Sequence, residues 1–500
     1  MQFDRRAGVF LHVTALPGPH GIGDLGEGAR RFLDWLAAAE QSYWQFCPLG
    51  PTAPVHGDSP YQAYSAFAGN PLLVSLDRLL AAGHLDESDL EPVPEFSDHE
   101  VDYDRVREYK TDRLRTAAER FHAGDGPGVD DDERDAFERF RERESAWLSD
   151  YALFMALRTR YDGAWTSWPE PIRTRDSDAL ATERDELESE IAYREYVQFV
   201  FDRQWRAVRS YAHDRGIDLV GDLPIYVALD SADVWANPEV FDLDDDGRPA
   251  AVAGVPPNPG DDGQRWGNPV YDWERLREDD YGWWVRRLER LFDLADVTRI
   301  DHFKGFDEFW AIPAEADSPA AGEWRDAPGH DFFETLQRRL GDLPFIVEDL
   351  GFLDQGLVDL RDRFGFPSMR VPHYADWCQE GDMYQPMHYP EHSVAYTSTH
   401  DTDTLVGYYE SLPERQRNCL EYNIGADGSD VVWSMIEAVW RSDAVLAFTT
   451  MQDVLGLDSH ARFNEPGTTD GNWDWRVTAA AFDDDLAGRL ARVTDEHIRN

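Results

Sequence analysis

Lysine is nearly absent from this 500-residue chain, in which Lys110 and Lys304 are the only two. Arginine supplies the other basic residues, and acidic side chains outnumber basic ones 98 to 48, for a formal net charge of -50. We therefore expect a halophilic protein, since the dense counterions of a salt-filled cytoplasm screen repulsion between carboxylates. The lack of a long basic stretch excludes a nucleic acid as partner, because neutralising phosphates requires a basic face.

Cysteine and long apolar stretches are also scarce. Cys47, Cys378 and Cys419 are odd in number and far apart, which is more typical of reduced thiols in an intracellular protein than of a disulfide framework or a clustered metal site. The N-terminal segment does not resemble a signal peptide, because His12 interrupts its apolar run. No stretch of the sequence approaches the length of a membrane span. These features predict a soluble, cytoplasmic protein without a membrane partner, and they leave its oligomeric state open.

What the sequence does contain is a series of short apolar runs that end in polar or glycine-rich residues. The eight runs lie at residues 9–13, 43–49, 218–225, 296–303, 344–350, 368–372, 393–398 and 445–451. Helix-like stretches separate many of them, at residues 27–39, 281–291, 332–340 and 404–412. Strands that alternate with helices form a parallel sheet, and eight such units predict an α/β fold, the (β/α)8 TIM barrel.

Insertions account for the length beyond the roughly 250 residues of a minimal barrel. We expect one catalytic domain overall, with the first two barrel strands and a substrate loop in residues 1–71 and the other six strands in residues 215–500. Between them, residues 72–214 are rich in Arg, Glu and Asp and predict a helical insertion subdomain over the barrel mouth. Residues 226–271 and 304–330 are predicted to be loop insertions between strands.

The fourth run ends in residues that suit catalysis. Side chains alternate faces along a strand, so Arg299 and Asp301 point the same way, and an arginine beside a carboxylate keeps it ionised. Asp301 is therefore a candidate nucleophile at the C-terminal end of a strand, where barrel enzymes carry their reactive residues. A structural ion pair that closes the barrel is the alternative role of the same two residues.

Two further runs also end in acids. The fifth ends in Glu348 and Asp349, and parity with Ile346 places Glu348 in the mouth and leaves its neighbour as a cap or loop anchor. A glutamic acid in a largely apolar setting has a raised pKa and suits a general acid. Asp401 follows the seventh run, where its alternative role is to cap the next helix, although Asp403 could do that instead.

Three acids at the ends of the fourth, fifth and seventh strands converge on one cavity. With an arginine and two histidines beside them, they are equipped for glycoside chemistry, in which one acid attacks, one protonates the leaving oxygen and others hold sugar hydroxyls. A metal site is the competing use of clustered Asp, Glu and His. The histidines beside these acids lack HxH or HxxxH spacing, so we predict neither a metal nor another cofactor.

Longer motifs connect the chain with a known family. RIDHF, VEDLG and STHD occur together with GDSPYQAYSAFAGNP, GDLPIYV, GQRWGNPVY and RFNEPGTTDGNWDWR, over nearly the whole chain. The chain resembles the amylomaltases, the 4-α-glucanotransferase or disproportionating-enzyme family of the α-amylase clan. The resemblance implies transfer of α-1,4-glucan segments between maltooligosaccharides by a retaining double displacement through a covalent glycosyl-enzyme. An α-1,4-glucan hydrolase of the same clan is the alternative, and a silent glucan-binding protein is a rival that the intact trio of acids disfavours.

The same resemblance implies a role for each matching residue. Asp301 corresponds to the nucleophile, Glu348 to the acid/base, and Asp401 to the third carboxylate, which binds sugar hydroxyls and stabilises the transition state. The substrate-binding residues that it implies are Tyr61, Asp222, Gln264, Trp266, Arg299, His302, His400 and Asn464.

The chain departs from the family in the lid over the mouth. Residues 256–261 read Pro-Pro-Asn-Pro-Gly-Asp, whereas the family usually continues from Pro-Pro with an Asp and two aromatic residues. A lid shields the intermediate from water until a sugar 4-hydroxyl arrives. The missing rings therefore keep hydrolysis as the alternative to transfer.

Overall fold

The computed structural model describes residues 3–124, 128–258, 262–351, 353–426, 428 and 430–499. In this part of the chain the strands are β1 (Arg6–Phe10), β2 (Tyr43–Gln45), β3 (Asp218–Pro224), β4 (Ala251–Val255), β5 (Gln264–Pro269), β6 (Val297–Asp301), β7 (Glu308–Pro313), β8 (Glu323–Asp326), β9 (Phe345–Val347), β10 (Ser368–Arg370), β11 (Ser393–Tyr396) and β12 (Leu446–Thr450).

Eight of these strands close into a parallel barrel in the order β1-β12-β11-β10-β9-β6-β3-β2. Seven of the eight apolar runs contain one of these strands, and the first run overlaps β1 at residues 9–10, so the prediction of a TIM barrel is confirmed. The first strand begins at Arg6, three residues before the predicted run, because it pairs along its whole length with β12. The pairing partner, and not the local composition, decides where this strand starts.

Helices connect the barrel strands and fill the longest insertion. The α-helices of the described residues span Glu27–Ala38, Leu76–Ala81, Glu87–Leu90, Tyr103–Ala123, Asp131–Arg143, Leu148–Tyr161, Glu170–Arg173, Ser177–Glu186, Glu188–His213, Ala232–Ala236, Trp273–Glu278, Gly282–Leu294, Gly329–Leu340, Gln355–Phe364, Leu405–Ser411, Glu414–Ile424, Val431–Arg441, Met451–Val454 and Asp484–Glu496. Among them no helix combines the length and the hydropathy that a membrane crossing requires.

The four helix-like stretches of the sequence are all helical in the structure. Residues 72–214 are also helical, as expected, although their description as a separate subdomain over the mouth stays a prediction. Asn258, the third of the six lid residues 256–261, lies within the described residues. Pro259, Gly260 and Asp261 lie outside the described residues.

The inside of the barrel is an apolar cluster distinct from the core between barrel and helices. Val297 and Ile346 belong to this inner cluster. Because side chains alternate along a strand, Arg299 and Asp301 face the same side as Val297 at the C-terminal end of β6. The same parity carries Glu348 inward just beyond β9. The sequence argument from alternation is thereby confirmed for the placement of these residues.

The two insertions that were predicted to be loops contain strands, and that prediction was wrong for these segments. β5, β4, β7 and β8 form a four-stranded sheet in this order, with antiparallel pairs. Its central pair joins residues far apart in sequence, as Val252 pairs with Ile312. Pro, Gly and Asp around these short strands predict turns, and pairing between distant segments leaves no local signal. The sheet carries Gln264 and Trp266.

The prediction of three reduced thiols was wrong for two of them. Cys378 and Cys419 form a disulfide, with Cα atoms 5.3 Å apart and 41 residues between them in sequence. The helix Glu414–Ile424 packs on the loop after β10, where Asn423 Nδ2 donates to the carbonyl oxygen of Trp377 at 2.8 Å. This tertiary contact brings the two cysteines within bonding reach, which their spacing does not reveal. Cys47 is a buried free thiol.

Candidate active site

Arg299 lies at the centre of the barrel mouth, where its side chain is only 3% exposed. Its Nη1 donates to Asp222 Oδ2 at 2.6 Å. Its Nη2 lies 2.9 Å from Glu348 Oε2 and 3.1 Å from Asp301 Oδ1. Burial alone would lower the pKa of the guanidinium, but the three carboxylates outweigh it and raise this pKa well above its ordinary value. A permanent cation therefore holds three acids together.

The register of the sheet explains this arrangement. Arg299 pairs with Asp222 across β6 and β3, and with Ile346 across β6 and β9. Directly opposed residues of neighbouring strands point to the same face of a sheet, so their side chains meet. The structure therefore brings Asp222, which is 77 residues from Arg299 in sequence, into contact with it.

The carboxyl groups of Asp301 and Glu348 are close to each other. Their oxygens lie 3.1 and 2.9 Å from the same nitrogen, Nη2 of Arg299. These two oxygens are consequently less than about 6 Å apart, nearer the carboxyl separation of about 5 to 5.5 Å in retaining glycosidases than the 6.5 to 9.5 Å in inverting ones.

The charge of the cluster alters how Asp301 binds a proton. Its burial raises the pKa of Asp301 well above the usual range, an effect that Arg299 opposes and that the negative charges of Glu348, Asp222 and Asp401 strengthen. Three carboxylates around one guanidinium carry excess negative charge. The cluster therefore holds a proton more tightly than an isolated aspartic acid does, and this proton belongs to the interacting carboxyls together.

His302 follows β6 in a left-handed conformation, with φ 52° and ψ 54°. This turn aims its backbone N–H at Glu348 Oε2, to which it donates at 2.8 Å. Burial lowers the pKa of the imidazole to about 4, so the ring is neutral at physiological pH. The Trp266 ring meets it edge to face at 4.9 Å. The uncommon backbone conformation directs the His302 N–H at Glu348, a candidate catalytic acid, and the surrounding contacts hold it in place.

Asp401 lies in the same mouth with its side chain 39% exposed. Asn464 Nδ2 donates to its Oδ1 at 2.6 Å, and His400 Nε2 lies 3.1 Å from its Oδ2. Burial would raise the pKa of Asp401, but His400 and Asn464 lower it to about 2. The third acid is therefore ionised throughout the physiological range.

Asp401 does not cap the helix that follows it, and neither does Asp403. The helix Leu405–Ser411 begins after Thr404, whose Oγ1 accepts the backbone N–H of Gly407 at 3.2 Å. The capping alternative was therefore wrong for both acids. Asp349, by contrast, is the loop anchor that alternation predicts, because its oxygens accept from the Met369 amide at 2.8 Å and from Arg361 at 2.7 Å.

Aromatic rings form one wall of the site. Tyr61 stacks on His400 with ring centroids 5.1 Å apart, and its hydroxyl donates to Asp222 Oδ2 at 2.8 Å. Trp473 lies 5.7 Å from the Tyr61 ring. Sequence reasoning placed Tyr61 but assigned no role to Trp473, although it belongs to the GNWDWR motif that signals the family.

A further aromatic residue that sequence reasoning missed is Tyr374, in the loop after β10. Its side chain is 52% exposed. Partial burial raises the pKa of its hydroxyl, and the negative charges of Glu348 and Asp401 add to the rise, so this hydroxyl is within electrostatic range of both acids. Nothing in the local sequence marks this tyrosine, because its relation to the acids depends on the path of a loop.

The accessory sheet brings the remaining pair of residues to the mouth. Gln264 and Trp266 point from β5 to the same side, and the Trp266 indole donates to Gln264 Oε1 at 2.8 Å. Asn268 on the same strand bonds Gln62 and the Val227 carbonyl, both at 2.8 Å, and so anchors the strand. All eleven residues that the sequence singled out thus lie within one network of contacts, or on the strand that completes it.

Groups of acids that could hold a metal lie elsewhere in the described part of the chain. His213, Asp218 and Asp296 cluster at the other end of the barrel, where Arg209 already pairs with Asp296 at 2.6 Å. The second group is Asp307, Glu308 and Asp354. Lys304 pairs with all three, at 2.7 Å from Asp307. Both groups are therefore compensated by basic side chains of the protein.

Comparison with known proteins shows the family of the chain. The family model described as 4-alpha-glucanotransferase matches residues 11–481. The 4-alpha-glucanotransferases of Synechocystis and Thermus thermophilus are 44% and 42% identical to the chain, over 99% of it and 98% and 99% of their own lengths. The solved amylomaltase of Streptococcus agalactiae in complex with acarbose is 35% identical, with a TM-score of 0.95 over 99% of this chain and 100% of its own. The chain belongs to the 4-alpha-glucanotransferase family.

Proposed function

We propose that this family member transfers segments of α-1,4-glucan to the 4-hydroxyl of glucose or a maltooligosaccharide, with Asp301, Glu348 and Asp401 as its catalytic acids. The observation that carries the proposal is the contact of Asp301 and Glu348 with one nitrogen of Arg299. It supports a retaining double displacement, because these two oxygens lie at most about 6 Å apart, below the roughly 6.5 to 9.5 Å between the carboxyls of inverting enzymes. The substrate class is supported by the names of the relatives and by the acarbose complex of the Streptococcus agalactiae amylomaltase.

In the first step the proton shared by the carboxyls is on Glu348, and the carboxylate of Asp301 attacks the anomeric carbon of the donor glucan. The bond from this carbon to the glycosidic oxygen breaks, and the carboxylic acid of Glu348 gives its proton to that oxygen. A shorter glucan with a free 4-hydroxyl leaves. The remaining segment is held as a β-linked ester of Asp301, and Glu348 is left as a carboxylate.

In the second step the 4-hydroxyl of an acceptor sugar attacks the same carbon. Glu348 takes the proton of this hydroxyl, the ester bond to Asp301 breaks, and an α-1,4 bond forms. Both acids return to their starting states. Water in place of the acceptor would complete hydrolysis, which is the alternative for this site.

The other residues bind and orient sugars. Among the described residues, Asp222 Oδ1 and His302 Nε2 are buried and have no hydrogen-bond partner, so both are available to sugar hydroxyls. Tyr61 offers an aromatic face to the apolar side of a sugar ring next to the scissile bond. The ionised Asp401 stabilises positive charge at the anomeric carbon in the transition state. The further substrate-binding residues are Gln264, Trp266, Arg299, His400 and Asn464.

Incubation with maltotriose tests transfer against hydrolysis. Transfer yields a ladder of longer oligosaccharides and free glucose, whereas glucose and maltose without longer products would establish the hydrolase. Asp301→Asn keeps the size of the side chain but removes the nucleophile, so we expect it to abolish turnover and to leave oligosaccharide binding nearly intact. Asp342→Asn, at an exposed acid, is the matched control and should behave as the wild type. Turnover by Asp301→Asn would contradict the assignment.

The acidic surface supports concentrated salt as the working medium and the cytoplasm of a salt-adapted cell as the location. Counterions screen the repulsion within a chain of net charge -50. We expect activity and thermal midpoint to rise as potassium chloride is raised to molar concentration, and full activity in dilute buffer would contradict this. Alkylation of Cys378 and Cys419 in protein quenched directly from its cells tests the location, since a reducing cytoplasm opposes their disulfide.

A further inference from the structure

A second cavity, of about 510 Å³, opens on the loop that leads away from the mouth. One wall comes from residues 377–388 and the other from residues 418–423 of the helix Glu414–Ile424. None of the described residues that carry the proposed reaction lines it. The cavity is therefore separate from the catalytic site, although the same loop carries Tyr374 in the mouth.

The lining of this cavity is unusual for so acidic a protein. Its exposed large hydrophobic residues are Tyr422 at 86% and Met387 at 46%, and they are accompanied by amide side chains such as that of Asn418. The only carboxylate among its lining residues in the described chain is Glu380. Aromatic and amide groups with little charge suit a neutral ligand that has apolar faces and hydroxyl edges.

The cavity is firmly built. The disulfide between Cys378 and Cys419 joins its two walls. Trp377 is 1% exposed, and its indole donates to the Tyr408 hydroxyl at 2.8 Å. Asn423 Nδ2 bonds the Trp377 carbonyl oxygen at 2.8 Å, which ties the helix to the loop. The open ring of Tyr422 is thus presented by a fixed scaffold, and its exposure is not a consequence of loose packing.

Exposed apolar side chains continue from this cavity to the mouth. Tyr374, Met383, Met387 and Tyr422 are four of the seven large hydrophobic residues that are exposed in the described chain. Tyr374 is within electrostatic range of Glu348 and Asp401, and its ring centroid is 5.6 Å from that of Tyr384 in the same loop. The loop that carries Tyr374 therefore runs from the mouth to Met387 in the wall of the second cavity.

We propose that this cavity is a second binding site for an α-1,4-glucan chain, with Tyr422 as its stacking platform. The substrate class rests on the proposed function. A glucan long enough to occupy both places is held twice, so binding at the cavity raises its effective concentration at the mouth. A maltotriose molecule cannot occupy both. The second site therefore favours long donors over short ones without changing the chemistry.

Kinetics with two donors test the proposal. We expect Tyr422→Ala to raise KM for amylose about three- to tenfold and to leave kcat and KM for maltotriose unchanged. Tyr422→Phe keeps the ring and should match the wild type. Ile498→Ala removes a side chain that is 75% exposed elsewhere, and it controls for the loss of exposed apolar surface. An amylose KM for Tyr422→Ala within twofold of the wild type would overturn the proposal.

Direct binding separates this proposal from the proposed function. In the Asp301→Asn background, titration with maltoheptaose should show two sites per chain, of which Tyr422→Ala removes one. One site that Tyr422→Ala does not affect, or two sites that both survive it, would overturn the second site. A change in oligomeric mass on Tyr422→Ala with unchanged binding would show instead that a second copy covers this surface. Failure of the wild type to elongate maltotriose would refute the proposed function by a separate measurement.

Discussion

Arg299 and Asp301 are two residues apart on one strand, and their charged groups lie 3.1 Å apart in the mouth of the barrel. The same guanidinium also contacts Asp222 and Glu348, which come from neighbouring strands. The ion pair that could have been only structural is therefore part of a network of three acids. The planar guanidinium of Arg299 contacts partners on two sides through different nitrogens, which the single ammonium nitrogen of a lysine cannot do.

Arg299→Lys should consequently fail to support the cluster. Lysine keeps the positive charge but cannot contact Asp222 through one nitrogen while it holds Glu348 and Asp301 through another. We expect the rate of maltotriose disproportionation to fall about a hundred- to a thousandfold, as for loss of a positioned electrostatic contact. Arg286→Lys, at an exposed arginine of the helix Gly282–Leu294, should retain wild-type activity. A loss of less than tenfold in the disproportionation rate of Arg299→Lys would show that a positive charge at this position is enough to support the activity.

Asn464→Asp should impair the site through Asp401. Its amide donates to Asp401 Oδ1 at 2.6 Å, and a carboxylate in its place removes the donor and adds a like charge. We expect kcat/KM for maltotriose to fall about a hundredfold or more for Asn464→Asp and about tenfold for Asn464→Ala. Gln355→Glu adds the same charge at an exposed helix start and is the control. Equal effects of the two Asn464 variants would argue against a role through charge.

The sequence predicts the geometry of the candidate site better than it predicts the surroundings of that site. Alternation along a strand depends on neighbouring residues alone, so it placed Asp301 and Glu348 in one mouth correctly. Tyr374 and the disulfide partner of Cys378 depend on where a long loop lies in space. Such contacts join segments tens of residues apart and leave no local periodicity to read. The residue roles themselves came from family motifs, and they stay predictions until variants are assayed.

His12 should make the protein sensitive to acid. Its side chain is 4% exposed, and burial, with a smaller contribution from His400, lowers its pKa to about 3. The unfolded chain binds this proton below about pH 6.5, where the folded chain does not. The free energy of unfolding therefore falls as the pH drops from about 6.5 toward 3, by about 1.4 kcal/mol per pH unit for this group.

Denaturant unfolding between pH 7 and pH 5 measures this contribution. His12→Gln cannot be protonated, so its stability should fall with pH about 1.4 kcal/mol per unit less steeply than that of the wild type. His99→Gln, at an exposed histidine, should keep the wild-type slope. If the free energy of unfolding fell with pH equally steeply in the wild type and in His12→Gln, the buried neutral state of His12 would be contradicted, whatever the absolute stability of the variant.

Removal of the disulfide between Cys378 and Cys419 should destabilise the protein without altering the three acids proposed as catalytic. The link closes a loop of 41 residues, for which the chain-entropy model gives about 4 kcal/mol of stabilisation. Cys378→Ser and Cys419→Ser should each lower the free energy of unfolding by about this amount, and reduction of the wild type with a dithiol should have the same effect. Cys47→Ser is the control, because it removes a buried free thiol and breaks no crosslink. Because the disulfide joins the loop of Tyr374 to the helix Glu414–Ile424, the variants should also raise KM for amylose more than KM for maltotriose. Unchanged stability on reduction would show that the loop is held by its other contacts, of which the Trp377 indole and the Asn423 amide are the strongest candidates.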